Sequence, residues 1–102
     1  MSTHSKGLRN ERKCQLELER LGWRTEKKNW SKFGGKDFWG VFDILAIKDG
    51  AVLAIQVKTN RSNKSDVRVK FNKIKEHIPA SWTIQLWVWK DRKGWDVHDL
   101  KN

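Results

Sequence analysis

One cysteine, one proline, three histidines and only 12 acidic residues occur among 102 positions, and each shortage closes off a class of protein. The lone Cys14 excludes an internal disulfide, and no Cys/His set has the spacing of a zinc site. A reducing, cytoplasmic setting is therefore expected. No run approaches the ~20 apolar residues of a spanning helix, so no membrane partner is expected. Residues 1–10, MSTHSKGLRN, contain no apolar stretch of the kind a secretory signal needs. His4, His77 and His98 are scattered, which argues against imidazole as ligand or base. No repeat, linker or low-complexity segment interrupts the chain. The shortage of acid says most. Against 22 Lys and Arg it leaves a formal charge of +10, a self-repulsion usually tolerated where a polyanion is bound. Nucleic acid is the first candidate. At this length a single domain over residues 1–102 is expected, with residues 1–5 loose.

What is present centres on VFDILAIKDGAVLAIQVKT, residues 41–59. Two apolar runs joined by Asp49-Gly50 read as a β-hairpin, the strongest short-range signal for one. If Lys48 and Ala51 flank the turn as a pair, Asp43 lies opposite Gln56, with Cβ atoms about 5 Å apart. Lys58 is then diagonal to Asp43, about 7–8 Å away. An acid, an amide oxygen and an ammonium converge at the open end of an otherwise aliphatic hairpin.

The remaining elements follow from periodicity. Lys6 to about Leu21 reads as a helix, with Gly7, Glu11, Cys14, Leu18 and Leu21 on one face and Gly22 as its stop. Glu11 is the odd member of that stripe; the plain alternative is an exposed first turn with Glu11 solvated. Cys14 reads as a small buried hydrophobe. Residues 23–30 (WRTEKKNW) read as a polar strand, and 30–40 (WSKFGGKDFWG) as a loop whose glycines let backbone approach a ligand. After the basic run 59–65, a second helix extends from Ser65 or Asp66 to His77 or Ile78. It buries Val67, Phe71, Ile74 and Ile78, and Pro79 ends it. Residues 82–90 alternate as a strand, with Ile84, Leu86 and Val88 on one face and Gln85, Trp87 and Trp89 on the other. Trp87 and Trp89 suit a dimer contact or a helix-covered layer. Trp95 to His98 add a short edge strand. The order α-β-β-β-α-β-(β) defines an α/β fold, a mixed sheet with helices packed on it.

Asp43, Gln56 and Lys58, with Glu11 on a neighbouring helix, suit metal-assisted phosphodiester hydrolysis. Mg²⁺ takes oxygen ligands and keeps several waters, so one carboxylate and one or two further oxygens suffice. Asp43 is the expected anchor, with the Gln56 amide oxygen and the Val57 backbone carbonyl as further ligands. Lys58, beside the attacking water, can hold hydroxide and stabilise charge on the pentavalent phosphate. Glu11 can reach the metal through water or orient the nucleophile. The plain alternative is a surface Asp–Lys pair, worth under ~1 kcal/mol. Lys6, Arg9, Arg12, Lys32, Lys36, Arg61 and Lys64 lie in segments that can border the site and contact phosphates. Trp39, close to Asp43 in sequence, is the tryptophan kept as a DNA contact.

KGLRNER (6–12), the hairpin pair Asp43…Gln56-Val57-Lys58 and the element order together resemble the PD-(D/E)XK nucleases. Within that superfamily the likeness is greatest to the small archaeal-type Holliday-junction resolvases and related phage nucleases. Those families open with a helix carrying Lys-Gly…Glu-Arg, which Glu11 and Arg12 match. Their strand Asp matches Asp43, and their Glu-x-Lys matches Gln56-Val57-Lys58. Two departures stand out: Gln56 replaces the usual acid, and Phe42 replaces the proline before the Asp. The resemblance implies a restriction-endonuclease-like core and a Mg²⁺-dependent endonuclease, with Mn²⁺ able to substitute. It also implies a homodimer and branched or duplex DNA as substrate. Two other functions compete: a non-catalytic nucleic-acid-binding module whose site has decayed at Gln56, and an RNA-associated basic protein of unrelated fold. The last would leave Glu11 far from the hairpin.

Overall fold

A computed structural model of the chain describes residues 3–27, 38–61 and 64–101, with side chains in the first helix from Gly7 onward. The first helix, α1, spans Thr3–Arg20. It is followed by β1 (Arg24–Lys27), β2 (Ile44–Lys48), β3 (Ala51–Thr59) and α2 (Lys64–Asn72). A 3₁₀ turn over Lys75–His77, β4 (Thr83–Lys90) and β5 (Gly94–Asp99) complete the chain. The five strands form one sheet in the order β1-β2-β3-β4-β5. Only β3 and β4 run parallel, which is what a helical crossover between them requires.

The hairpin forms as its turn residues dictate. Asp49 and Gly50 both take positive φ (50° and 84°), the two left-handed residues of a type I′ turn, and Lys48 pairs with Ala51. Pairing continues in register to Ile44 opposite Ile55. Alternate β3 residues then go to opposite faces. Leu53, Ile55 and Val57 join Cys14 and Leu18 of α1 in one apolar cluster, while Ala54 joins Val67 and Phe71 of α2 in the other. The two helices therefore cover opposite faces of the sheet, and each supplies a core of its own.

Four expectations are corrected. Residues 1–5 are not wholly loose, because α1 begins at Thr3; nothing in His4-Ser5-Lys6 breaks a helix. The buried stripe of α1 is Asn10, Glu11, Cys14, Gln15 and Leu18, while Leu21 is exposed. Leu21 lies past the last helical residue, and Gly22 (φ 97°) turns the chain away before that side chain can reach the sheet. The polar strand begins at Arg24 rather than Trp23 and is described as far as Lys27; residues 28–30 of its expected span lie outside the described residues. Finally, α2 stops at Asn72 rather than near His77. Ile74 (φ −121°) leaves helical geometry, and i→i−3 bonds such as Ile74 N–H to the Phe71 carbonyl (3.0 Å) tighten the chain. Ile78 before Pro79 is extended, as a residue preceding proline prefers. Ile74 and Ile78 still pack on the core, so the apolar pattern holds although the helix does not.

β4 matches its alternation: Ile84, Leu86 and Val88 are fully buried on the α2 side. On the other face Trp87 and Trp89 both meet Trp95 of β5 edge-on, at 5.3 and 5.2 Å between ring centroids. The Lys13 ammonium of α1 sits 4.0 Å from the Trp89 ring, so this aromatic layer is partly covered from within the chain.

Candidate active site

The site lies where β2 begins and β3 runs on past it. Hydrogen-bonded pairs alternate along the hairpin from Lys48–Ala51, which makes Ile44–Ile55 such a pair. Asp43 N–H also donates to the Ile55 carbonyl, at 2.8 Å. Two residues of one strand thus face one of the other, the count of a β-bulge, which re-aims a side chain and ends pairing. The expected direct opposition of Asp43 to Gln56 is displaced by that bulge. Instead the Asp43 carboxylate lies along the continuation of β2, where its Oδ2 accepts the Val57 N–H at 2.8 Å. Asp43 is 2% exposed.

This geometry fixes a second oxygen. The N–H and C=O of one strand residue point to the same side, so the Val57 carbonyl projects beside the Asp43 carboxylate, past the last β2–β3 pair. Gln56 and Lys58 alternate with Val57 and so belong to the α2 side of β3; Gln56 is 6% exposed and Lys58 half-buried. Glu11 approaches from the α1 side. Asn10, one residue before it, donates from Nδ2 to Thr59 Oγ1 at 2.7 Å and ties α1 to the end of β3. Gln15 donates to Thr25 Oγ1 at 3.1 Å and ties it to β1. Glu11 is 7% exposed, which overturns the solvated alternative. Its Oε1 stands 3.9 Å from the Lys27 ammonium at the end of β1.

Cys14, one helical turn beyond Glu11, registers both acids. Burial pushes its thiol well above the usual value, and the charges of Asp43, Glu11 and Glu17 push it further. It is a buried, protonated thiol. The charges of both Asp43 and Glu11 are thus felt at Cys14 on the α1 side of the sheet, while Gln56 and Lys58 belong to the α2 side of β3.

The candidate donors, from Asp43, Glu11, Gln56 and the Val57 carbonyl, are all oxygens, the preference of a hard cation. Among the described residues no cluster of three His, Cys, Asp or Glu side chains can hold a metal ion. Two acids, an amide and a carbonyl nevertheless fit Mg²⁺, which keeps most of its waters; the neutral Gln56 lowers affinity rather than denying the site.

The basic residues divide by position. Arg9 and Arg12 are exposed on α1 near its buried Asn10 and Glu11. Arg61 follows the end of β3, and Lys64 opens α2, both exposed at the same end of the sheet. The side chain of Lys6, and Lys32 and Lys36 altogether, lie outside what is described. Trp39 lies on the α2 side of the sheet. A Phe38–Phe42 bridge folds its segment back over the α2 side, where Trp39 meets Trp82, just before β4, at 6.1 Å. It remains 57% exposed. Asn10, Gln15 and Lys27 were not legible as site residues, because polar residues at helical spacing and at a strand end look solvated until their partners are known.

The sheet is mixed, with helices on both faces and an acid set by a bulge beside the Gln56-Val57-Lys58 strand. Among solved structures the chain is similar to Hjc of Archaeoglobus fulgidus, a Holliday junction resolvase from an archaeal hyperthermophile. The TM-score is 0.68 at 20% identity, over 94% of this chain and 74% of that one. This likeness shows the fold. No protein-family model matches, and neither does any curated protein.

Proposed function

We propose that the chain is a Mg²⁺-dependent DNA endonuclease selective for branched structure, akin to a Holliday-junction resolvase, acting as one nuclease domain and as a homodimer. The observation that carries the reading is the Asp43 carboxylate, buried and fixed by the Val57 N–H of the strand that also carries Gln56 and Lys58, with Glu11 buried on α1. Burying a carboxylate is costly, and the one Val57 N–H offsets only part of that cost, which a bound cation would offset further.

Asp43, Gln56, the Val57 carbonyl and Glu11, the last directly or through water, would hold the ion. When bound, Mg²⁺ supplies positive charge against the phosphoryl oxygens and favours an ionised water as nucleophile. Asp43 anchors because the N–H of Val57 fixes its orientation before any ligand arrives. Lys58 places an ammonium where negative charge develops on the phosphoryl oxygens. Glu11 accepts a hydrogen bond from the attacking water and orients it. Arg9, Arg12, Arg61 and Lys64 hold flanking phosphates, and the charge of +10 speeds encounter with DNA. The working compartment is reducing, consistent with a buried, unpaired thiol.

One observation favours a second reading. Gln56 leaves two acids at the site, and a binding module on the same fold would need no more. Labelled four-way junction, flap and linear duplex, each with Mg²⁺ or Mn²⁺, separate the two. An endonuclease cuts at least one of them and loses this on Asp43→Ala or Lys58→Ala while still binding DNA. Salt-sensitive binding without any cut, indifferent to both substitutions, would establish the module.

A further inference from the structure

Lys27 is a charged group beside Glu11 that the proposed chemistry leaves unused. It ends β1, its side chain 26% exposed, with the ammonium 3.9 Å from Glu11 Oε1. Charge-assisted hydrogen bonds are about 2.7–2.9 Å long, so this is an ion pair held without close engagement. Among the described residues, Lys27 and Lys58 set positive charge against Glu11 and Asp43, and Gln56 adds no negative charge to theirs. A divalent cation entering the free protein must share Glu11 with an ammonium already beside it. An arriving phosphodiester offers that ammonium a second anion, and the flexible stem of a lysine lets its head move between the two.

We infer that Lys27 is a DNA-phosphate contact that guards Glu11 in the free protein and releases it when DNA binds. The inference rests on the nuclease reading and adds an order to it. DNA phosphate draws the ammonium away, Glu11 then turns to the ion, and DNA and metal each tighten binding of the other. Reciprocity is required: whatever factor DNA contributes to metal affinity, metal contributes to DNA affinity. Gln56 makes the guard effective, since with a third acid the site would attract a cation regardless of Lys27.

The test uses the full chain carrying Lys27→Gln, with Lys27→Arg and Lys101→Gln beside it. Lys101 bonds the Ala80 carbonyl at the far end of the sheet and controls for loss of one positive charge. Binding of a labelled four-way junction is followed by anisotropy in EDTA over a range of KCl concentrations. Binding of Mn²⁺ alone, without DNA, is followed by electron paramagnetic resonance. Lys27→Gln is expected to weaken DNA binding about three- to tenfold and to make the salt slope shallower by about one. In the same variant Mn²⁺ binding tightens, while Lys27→Arg keeps wild-type DNA affinity. Opposite shifts are the signature, because damage to the strand end would weaken both. Joint weakening, no change in either, or the same pattern in Lys101→Gln overturns the assignment. Opposite shifts in a protein that cuts no substrate would remove the catalytic reading and keep the phosphate contact. Cleavage without the shifts would do the reverse.

Discussion

Asp43 both shapes the strand end and, on this account, anchors the metal, and two substitutions separate those roles. Its carboxylate is 2% exposed and accepts the Val57 N–H at 2.8 Å. Asp43→Ala removes the acceptor and strands a buried donor, which costs about 1–3 kcal/mol. Relief of repulsion from Glu11 and the loss of one buried charge pull the net value toward the lower end. Asp43→Asn keeps an oxygen for the same N–H and sheds the charge, so its stability should differ from wild type by less than ~1 kcal/mol. In a chain this size ~1 kcal/mol moves the melting temperature by about 4–8 °C, well within resolution of thermal or urea unfolding. Both variants should be inactive, the Asn variant while folded as wild type. Cleavage by Asp43→Asn, or an Ala variant as stable as the Asn variant, would refute the reasoning.

Other consequences can be checked as directly. Gln56→Glu places a third acid at the site and should tighten Mn²⁺ binding by about tenfold or more, read by titration without DNA. Phe42 is fully buried, with ring contacts to Trp39 at 6.3 Å and Phe71 at 6.4 Å. Phe42→Ala should therefore cost about 3–5 kcal/mol in urea unfolding, much of the stability of a small domain. The raised Cys14 thiol sets a pH dependence. The folded state keeps the proton while the unfolded chain, with a thiol near its ordinary 9.0, releases it. The contribution is whole below that value and is lost above it at up to ~1.4 kcal/mol per pH unit. Cys14→Ala should flatten the alkaline limb of the stability profile relative to wild type, whatever its cost at neutral pH.

The hairpin was legible because its turn chemistry and its aliphatic runs agree, and Lys48–Ala51 follows from Asp49-Gly50 alone. The bulge at Asp43 was not. It adds one residue without changing composition, and alternation placed the side chain opposite Gln56 when it turns into the plane of the sheet. The α1 stripe was half read: Glu11, Cys14 and Leu18 are buried as expected, but Asn10 and Gln15 are buried through bonds to Thr59 and Thr25 on distant strands. Hydrophobic periodicity carries no trace of such partners. The end of α2 failed for a related reason, since Ile74 and Ile78 keep helical spacing across a 3₁₀ turn. Trp39 was assigned by closeness in sequence, which gave no sign of the Phe38–Phe42 bridge or of its ring contact with Trp82.

Cleavage of an end-labelled four-way junction under single-turnover conditions with Mn²⁺, wild type beside Asp43→Asn at matched DNA occupancy, tests the central claim most directly. Paired nicks across the junction that vanish in the Asn variant, with binding unchanged, are the predicted result. Equal cleavage by both proteins would place the chemistry elsewhere, and a bound but intact junction in both would contradict an active site at the start of β2.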